Sequence, residues 1–331
     1  MSNVFAPNAD YLFMIGHATK APSGHNTQPW SFKISESEID IYPDFTRALP
    51  VVDPNNRELF VSLGCAVENL CIAASHKGYS THVVVTGSGV IKIMLSQGST
   101  PNEPSSLFPQ IPIRQTNRSL YNGQIIPDEG IALLEGLDTE ADVSVHFFRI
   151  GSPEYEIISN MVYRGNSLQL NNRAFKRELQ HWMRYNKKHQ DATYDGLSYT
   201  VFGAPNIPRF IAKPIISSII NEKSQNKTDR KKIAASSHFI LLTTSDNTIE
   251  QWVNLGRTLE RILLKTTEMG IAHAYLNQPN ESSELALEMA QKLGIPNEYP
   301  SILIRVGYGK KMPYSLRRNI ESCILPIEHL P

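Results

Sequence analysis

Apolar residues along this chain follow two periods that take turns. Tyr11, Leu12, Met14, Ile15 and Ala18 lie at helical spacing behind Asn8, and the pattern breaks at Pro22, which predicts a short helix and then a loop. Phe32 and Ile34, then Ile39 and Ile41, alternate with polar residues around a Ser/Glu turn, which predicts a hairpin. Residues 57–77 form a long helical pattern closed by Gly78 at a C-cap position, and strand-like runs follow at 82–86 and 90–96. The second half repeats the alternation: a strand at 142–150, a helix near 247–269, a strand at 271–276, a helix near 281–293 and a strand at 301–309. Between these halves, residues 163–232 hold polar helical segments (NNRAFKRELQHWMRYNKKHQ) and a Pro-broken run (FGAPNIPRFIAKP). A polar stretch of that length inside a compact chain predicts an insertion packed over another surface, a lid or a mobile loop.

The two long helices resemble one another. LGCAVENLCIAASHKG (63–78) and LGRTLERILLKTTEMG (255–270) align without gaps, sharing Leu, Gly, Glu and the final Gly. Val67, Leu70 and Ile72 match Leu259, Ile262 and Leu264. Each copy precedes a strand-like run. Two readings follow: a duplicated α+β unit, which we prefer, or chance agreement between amphipathic helices ending at a glycine.

Composition narrows the function. Lys plus Arg and Asp plus Glu both count 32, so the formal net charge is zero and the footprint of a general nucleic-acid binder is missing. No apolar run approaches the roughly 20 residues of a membrane helix, and residues 1–16 show no basic region or cleavage pattern of a signal peptide. The expected compartment is the cytoplasm. Cys65, Cys71 and Cys323 form no C-x-x-C pair, so buried reduced thiols are expected, and the ten histidines form no metal-ligand pattern. Gly87-Ser88-Gly89 and Gly307-Tyr308-Gly309 lack the third glycine of a dinucleotide fingerprint. No phosphate-loop or nucleophile-elbow motif occurs.

Two segments concentrate polar chemistry. Ala21-Pro22-Ser23-Gly24-His25-Asn26-Thr27-Gln28-Pro29-Trp30 is dense in hydroxyls and amides, suited to hydrogen-bonding a ligand or to forming an ordinary turn. Arg114-Gln115-Thr116-Asn117-Arg118 alternates two guanidinium groups with a hydroxyl. In an extended chain these share one face, so Arg114, Thr116 and Arg118 could converge on one phosphate; the alternative is a solvated basic strand.

Together these segments resemble the FMN-dependent nitroreductase family, whose phosphate pattern is R-x-[S/T]-x-[R/K] and whose second flavin loop is A-P-S-x-x-N-x-Q-P-W. The SILIRVGYG run with Arg317 and Arg318 beyond it extends the resemblance to most of the chain. The order of parts differs from ordinary members: the first half has the loop but no Arg before residue 47, and the second has the Arg motif without the loop. With the insertion and RALPVVDPNNREL (47–59), this is similar to the Acg-like branch. The resemblance implies an α+β nitroreductase-like fold of two degenerate halves, 1–110 and 111–331, with a helical lid at 163–232 and one FMN site per chain. It implies that Arg114, Thr116 and Arg118 hold the phosphate, helped by Arg317 and Arg318. Pro22, Ser23, Asn26 and Gln28 would reach the flavin from the other half, with Asn277, Gln278 and Pro279 along the ring. His25 either contacts flavin or stabilises its loop. No side chain is required as acid or nucleophile and no metal is expected. The implied activity is hydride transfer from NAD(P)H through FMN to nitro or quinone-like aromatic acceptors. The alternative is a protein that sequesters FMN with little turnover. Monomer and homodimer both remain open.

Overall fold

The computed structural model describes residues 8–98 and 105–326; the start of the segment read for a signal peptide lies outside them. Asn8 caps the first helix, Ala9–Ala18, its side chain accepting from Asp10 N–H at 2.9 Å. The hairpin follows as β1 (Trp30–Ile34) and β2 (Glu38–Pro43). Helix Arg57–His76 ends where Gly78 takes a φ of 80°, and leads into β3 (Tyr79–Val85) and β4 (Ile91–Gln97). These strands form one antiparallel sheet in the order β1-β2-β4-β3.

A second antiparallel sheet is built from the rest of the chain. Its first strand is β5 (Val143–Arg149). The long intervening segment contributes a two-residue parallel pair, β6 (Met183–Arg184) and β7 (Leu197–Ser198). Then come β8 (His238–Thr244), β9 (Ala272–Tyr275) and β10 (Tyr299–Gly307), and the order is β5-β8-β10-β9. The fold class is α+β, as expected.

Helices Arg57–His76 and Ile249–Glu268 join the two sheets, lying against each other in a core that also takes Ile39, Ile93, Ile240 and Ile304 from the strands. Their closest approach is at the two glycines that align in the sequence. A Cβ on Gly64 would stand 2.1 Å from Val253 O, and one on Gly256 would stand 2.1 Å from Val61 O. Any side chain there would force the backbones apart. The Arg57–His76 helix is also long and apolar enough to cross a membrane, but nearly all of it is buried in this core.

Residues 163–232 do not start where the sequence pattern placed them. A continuous helix, Pro153–Asn171, runs through residue 163, capped by Ser152. Helices Arg173–Trp182, Lys187–Thr193, Arg209–Ile219 and Glu222–Ala234 follow. The segment packs back on the first half: Leu170, Phe175 and Trp182 bury Leu49 and Val52, and the Glu178 carboxylate accepts from the Val51 and Val52 N–H groups at 2.9 and 3.0 Å. Asp195 ties the same regions together, accepting from Arg47 and, at 2.5 Å, from Arg184 Nη2.

Candidate functional site

The 22–28 loop is held in a backbone conformation that side chains rarely adopt. His25, Asn26 and Gln28 all have φ near +50°, each costing on the order of 1 kcal/mol unless surrounding bonds impose it. Those bonds are present. Asn26 Nδ2 donates to Gly196 O and Leu316 O, both at 3.2 Å, while its Oδ1 accepts from Arg317 Nη1 at 2.9 Å. Gln28 Nε2 donates to Tyr194 O at 2.9 Å, and its Oε1 accepts from Arg318 N–H at 2.8 Å. The loop is therefore fastened on one side to the insertion and on the other to the C-terminal segment.

The Arg-Thr-Arg run is not the extended strand its spacing predicted. Arg114 N–H donates to Gln110 O at 2.8 Å, closing a turn, and Thr116 makes only a single bridge to His273. The two arginines accordingly part company. Arg114 is buried, 3.3 Å from the Glu260 carboxylate, with Nη2 donating to Lys20 O at 2.8 Å and Nη1 without a partner among the described residues. Arg317 joins it, its guanidinium donating to Thr19 O at 3.0 Å and Lys20 O at 3.1 Å, the free carbonyls that follow helix Ala9–Ala18. Burial and the charge of Arg114 push Arg317 down to about 9. Two guanidinium groups here share one carboxylate.

Arg118 faces elsewhere, into a cavity of about 550 Å³. Its guanidinium lies over the Phe202 ring at 5.6 Å, and among the described residues no carboxylate pairs with it. Pro22, Ser23, Asn277 and Gln278 line the same cavity, so five of the twelve expected ligand residues meet there. Asn26, Gln28, Arg114, Thr116, Pro279, Arg317 and Arg318 do not reach its wall. Asn277 is fixed from both ends, its Oδ1 accepting from Leu303 N–H and its Nδ2 donating to Glu58 Oε1, each at 2.8 Å. His25 Nε2 and Gln278 Oε1 are buried without partners among the described residues. Burial, then Arg118, lowers His25 to about 4, which keeps the imidazole neutral near pH 7.

Half of the cavity wall comes from residues 166–228, including Phe175, Leu179 and Phe202. The backbone of helix Pro153–Asn171 presses on the Asn277–Pro279 turn so closely that a Cβ on Gly165 would stand 2.7 Å from the Gln278 carbonyl carbon. Glu58, Cys65, Tyr275 and Glu281 also line the cavity, and the sequence patterns had not singled them out. No local signal marks them, because each reaches the wall only through the packing of distant elements. Among the described residues, no three His, Cys, Asp or Glu side chains are arranged so that they could hold a metal ion.

No protein-family model matches the chain. It is similar to two proteins of Mycobacterium tuberculosis. One is named "Putative NAD(P)H nitroreductase Rv3131", 23% identical, with 97% of this chain and 93% of that protein covered. The other is "Putative NAD(P)H nitroreductase acg", 21% identical, with 92% of each covered. Among solved structures, it is similar to the FMN-dependent nitroreductase NfnB of Mycobacterium smegmatis in complex with NADPH, 13% identical, covering 64% of this chain and 94% of that one at a TM-score of 0.41. The resemblance carried by the motifs thus has its counterpart in relatives that span nearly the whole chain.

Proposed function

We propose that this relative of the Acg-like nitroreductases is an FMN-binding NAD(P)H oxidoreductase that reduces nitro or quinone-like aromatic acceptors. The observation that carries the reading is the meeting of Pro22, Ser23, Arg118, Asn277 and Gln278, from three distant stretches of chain, on one cavity. Apolar walls with a few fixed polar groups suit a flat aromatic ligand. The unpartnered His25 Nε2 and Gln278 Oε1 are atoms that such a ligand would satisfy. Arg118, which lacks a carboxylate partner, suits a phosphate. Arg114 and Arg317 add positive charge that Glu260 alone does not balance. In this reading Asn26, Gln28 and Arg318 hold the loop in shape, while Thr116 and Pro279 support their neighbours from outside the wall. FMN, when bound, supplies the hydride transfer. The chain positions it, fixes its polar edges and excludes water.

We also read residues 1–110 and 111–331 as two nitroreductase-like halves that keep a single site between them. Purified protein should carry one FMN per chain by flavin absorbance against protein concentration, and a value near two would overturn the single-site reading. Residues 163–232 act as the lid in this proposal, since they supply half the wall. Replacing them by a short linker, with FMN still bound, should speed the reaction of sulfite with the flavin. An unchanged rate would show that the segment does not cover it. That same coverage favours a second reading, sequestration of FMN, and steady-state NAD(P)H oxidation with and without a nitroaromatic or quinone separates the two.

A further inference from the structure

One stretch of the cavity wall is a pair of carboxyl groups. Glu58 stands in the first turn of helix Arg57–His76, Glu281 lies just ahead of helix Ser283–Lys292, and both line the cavity. They face the same space, and each bears on the other's charge. Two carboxylates side by side repel one another, and one proton kept between them relieves that repulsion. The surrounding contacts keep the pair in place: Glu58 Oε1 accepts from Asn277 Nδ2, and Glu281 Oε2 accepts from Gln169 Nε2.

The charges around the pair point the same way. Asp53, itself buried, is a third carboxyl beside them, and Arg57 is the cation that faces all three. Arg57 also spends one nitrogen on Asn280 O at 2.6 Å, and Tyr275, whose hydroxyl burial holds far above its usual range, faces Glu58 from β9. Three carboxyl groups crowded around one guanidinium do not all ionise. Burial, then Asp53, raises Glu58 to about 7, and burial, then Glu58, raises Glu281 well above the ordinary carboxylate range. The pair is also close to the ligand loop, since Glu58 Oε2 lies 3.5 Å from where a Cβ on Gly24 would stand.

We propose that Glu58 and Glu281 are the proton donor of this cavity, passing their shared proton to an oxygen of a quinone-class acceptor as that acceptor is reduced. The proposal rests on the oxidoreductase reading above. A quinone becomes a hydroquinone by gaining one hydride equivalent and one proton, and NAD(P)H, the reductant, leaves as NAD(P)+. The carboxyl O–H bond breaks, an O–H bond forms on the acceptor oxygen, and the pair is left as two carboxylates until water returns the proton.

Infrared spectra of the cofactor-free protein, recorded across neutral pH, should contain a protonated-carboxyl C=O band that fades as pH rises and is absent from both Glu58→Gln and Glu281→Gln. Each variant keeps the oxygen that Asn277 or Gln169 binds. With a soluble benzoquinone, kcat of the FMN-loaded full chain should fall by about a hundredfold in either variant. The decline of the wild-type rate above about pH 7 should flatten as well. Cofactor-free protein without the band, from a chain that does load FMN, or variants with wild-type rate and pH profile, would overturn the proposal alone. A chain that carries no FMN would overturn the oxidoreductase reading and the proposal together.

Discussion

The two crossing helices bring the same Leu-Gly-x-x-x-Glu run to their contact, yet the two glutamates end in opposite surroundings. Glu68 accepts from Arg257 Nε at 3.1 Å and Arg261 Nε at 2.7 Å, and both arginines also reach Glu140, with their side chains 17% exposed. Glu260 is fully buried, and its one ion-pair partner among the described residues is Arg114, at 3.3 Å, without hydrogen-bond geometry at either carboxylate oxygen. Burial raises Glu260 above the usual carboxylate range, and Arg114 opposes that rise. One end of the pair has become a satisfied network at the rim. The other keeps an under-bonded charge in the interior, paired with Arg114. Matched packing at the glycines therefore does not require matched chemistry one turn further along.

Substitutions at these positions test that contrast. Glu260→Gln should have the largest effect, about 3 to 5 kcal/mol in urea unfolding, because it strands the Arg114 charge in the interior. Glu68→Gln should lose only about 1 to 2 kcal/mol, since its arginines keep Glu140 and water. Equal losses would erase the distinction. Arg118→Ala should weaken FMN retention by about tenfold to a hundredfold, the equivalent of roughly 1.5 to 3 kcal/mol for a charge-assisted bond. Riboflavin, lacking the phosphate, should be affected much less. Arg114→Ala should weaken FMN as well but lower the unfolding midpoint with it, and equal losses of both flavins in Arg118→Ala would place that guanidinium elsewhere. Gly64→Ala and Gly256→Ala should each cost about 1 to 3 kcal/mol by overpacking and should match one another. A clear inequality in thermal unfolding would show that the crossing is less symmetric than the two 2.1 Å approaches indicate.

Much of the scaffold could be read in advance where one face of an element is wet. Helix Arg57–His76 was marked by its period and by Gly78, and β1 and β2 by their alternation. Strand β8 gave no such signal, because every residue from His238 to Thr244 is buried and an unbroken apolar run has no period to detect. The Arg114–Arg118 expectation failed for a related reason. The two-residue rule holds only in a strand, and the bond from Arg114 N–H to Gln110 O makes a turn. At the site, Ser23 and Arg118 lay in readable motifs and Asn277 came from the family resemblance, whereas Glu58, Gln169 and Glu281 meet only after helices from three parts of the chain have packed.

The fastening of the 22–28 loop has a kinetic side. Gln28 bonds to Tyr194 O and Arg318, and Asn26 to Gly196 O and Arg317, so the insertion cannot swing away while the loop keeps its left-handed backbone. Releasing those bonds removes what imposes the strained conformation, and the loop relaxes as the insertion departs. With residues 163–232 as the proposed lid, entry and exit of anything held in the cavity are one cooperative opening, whose frequency sets the residence time more than any single contact does.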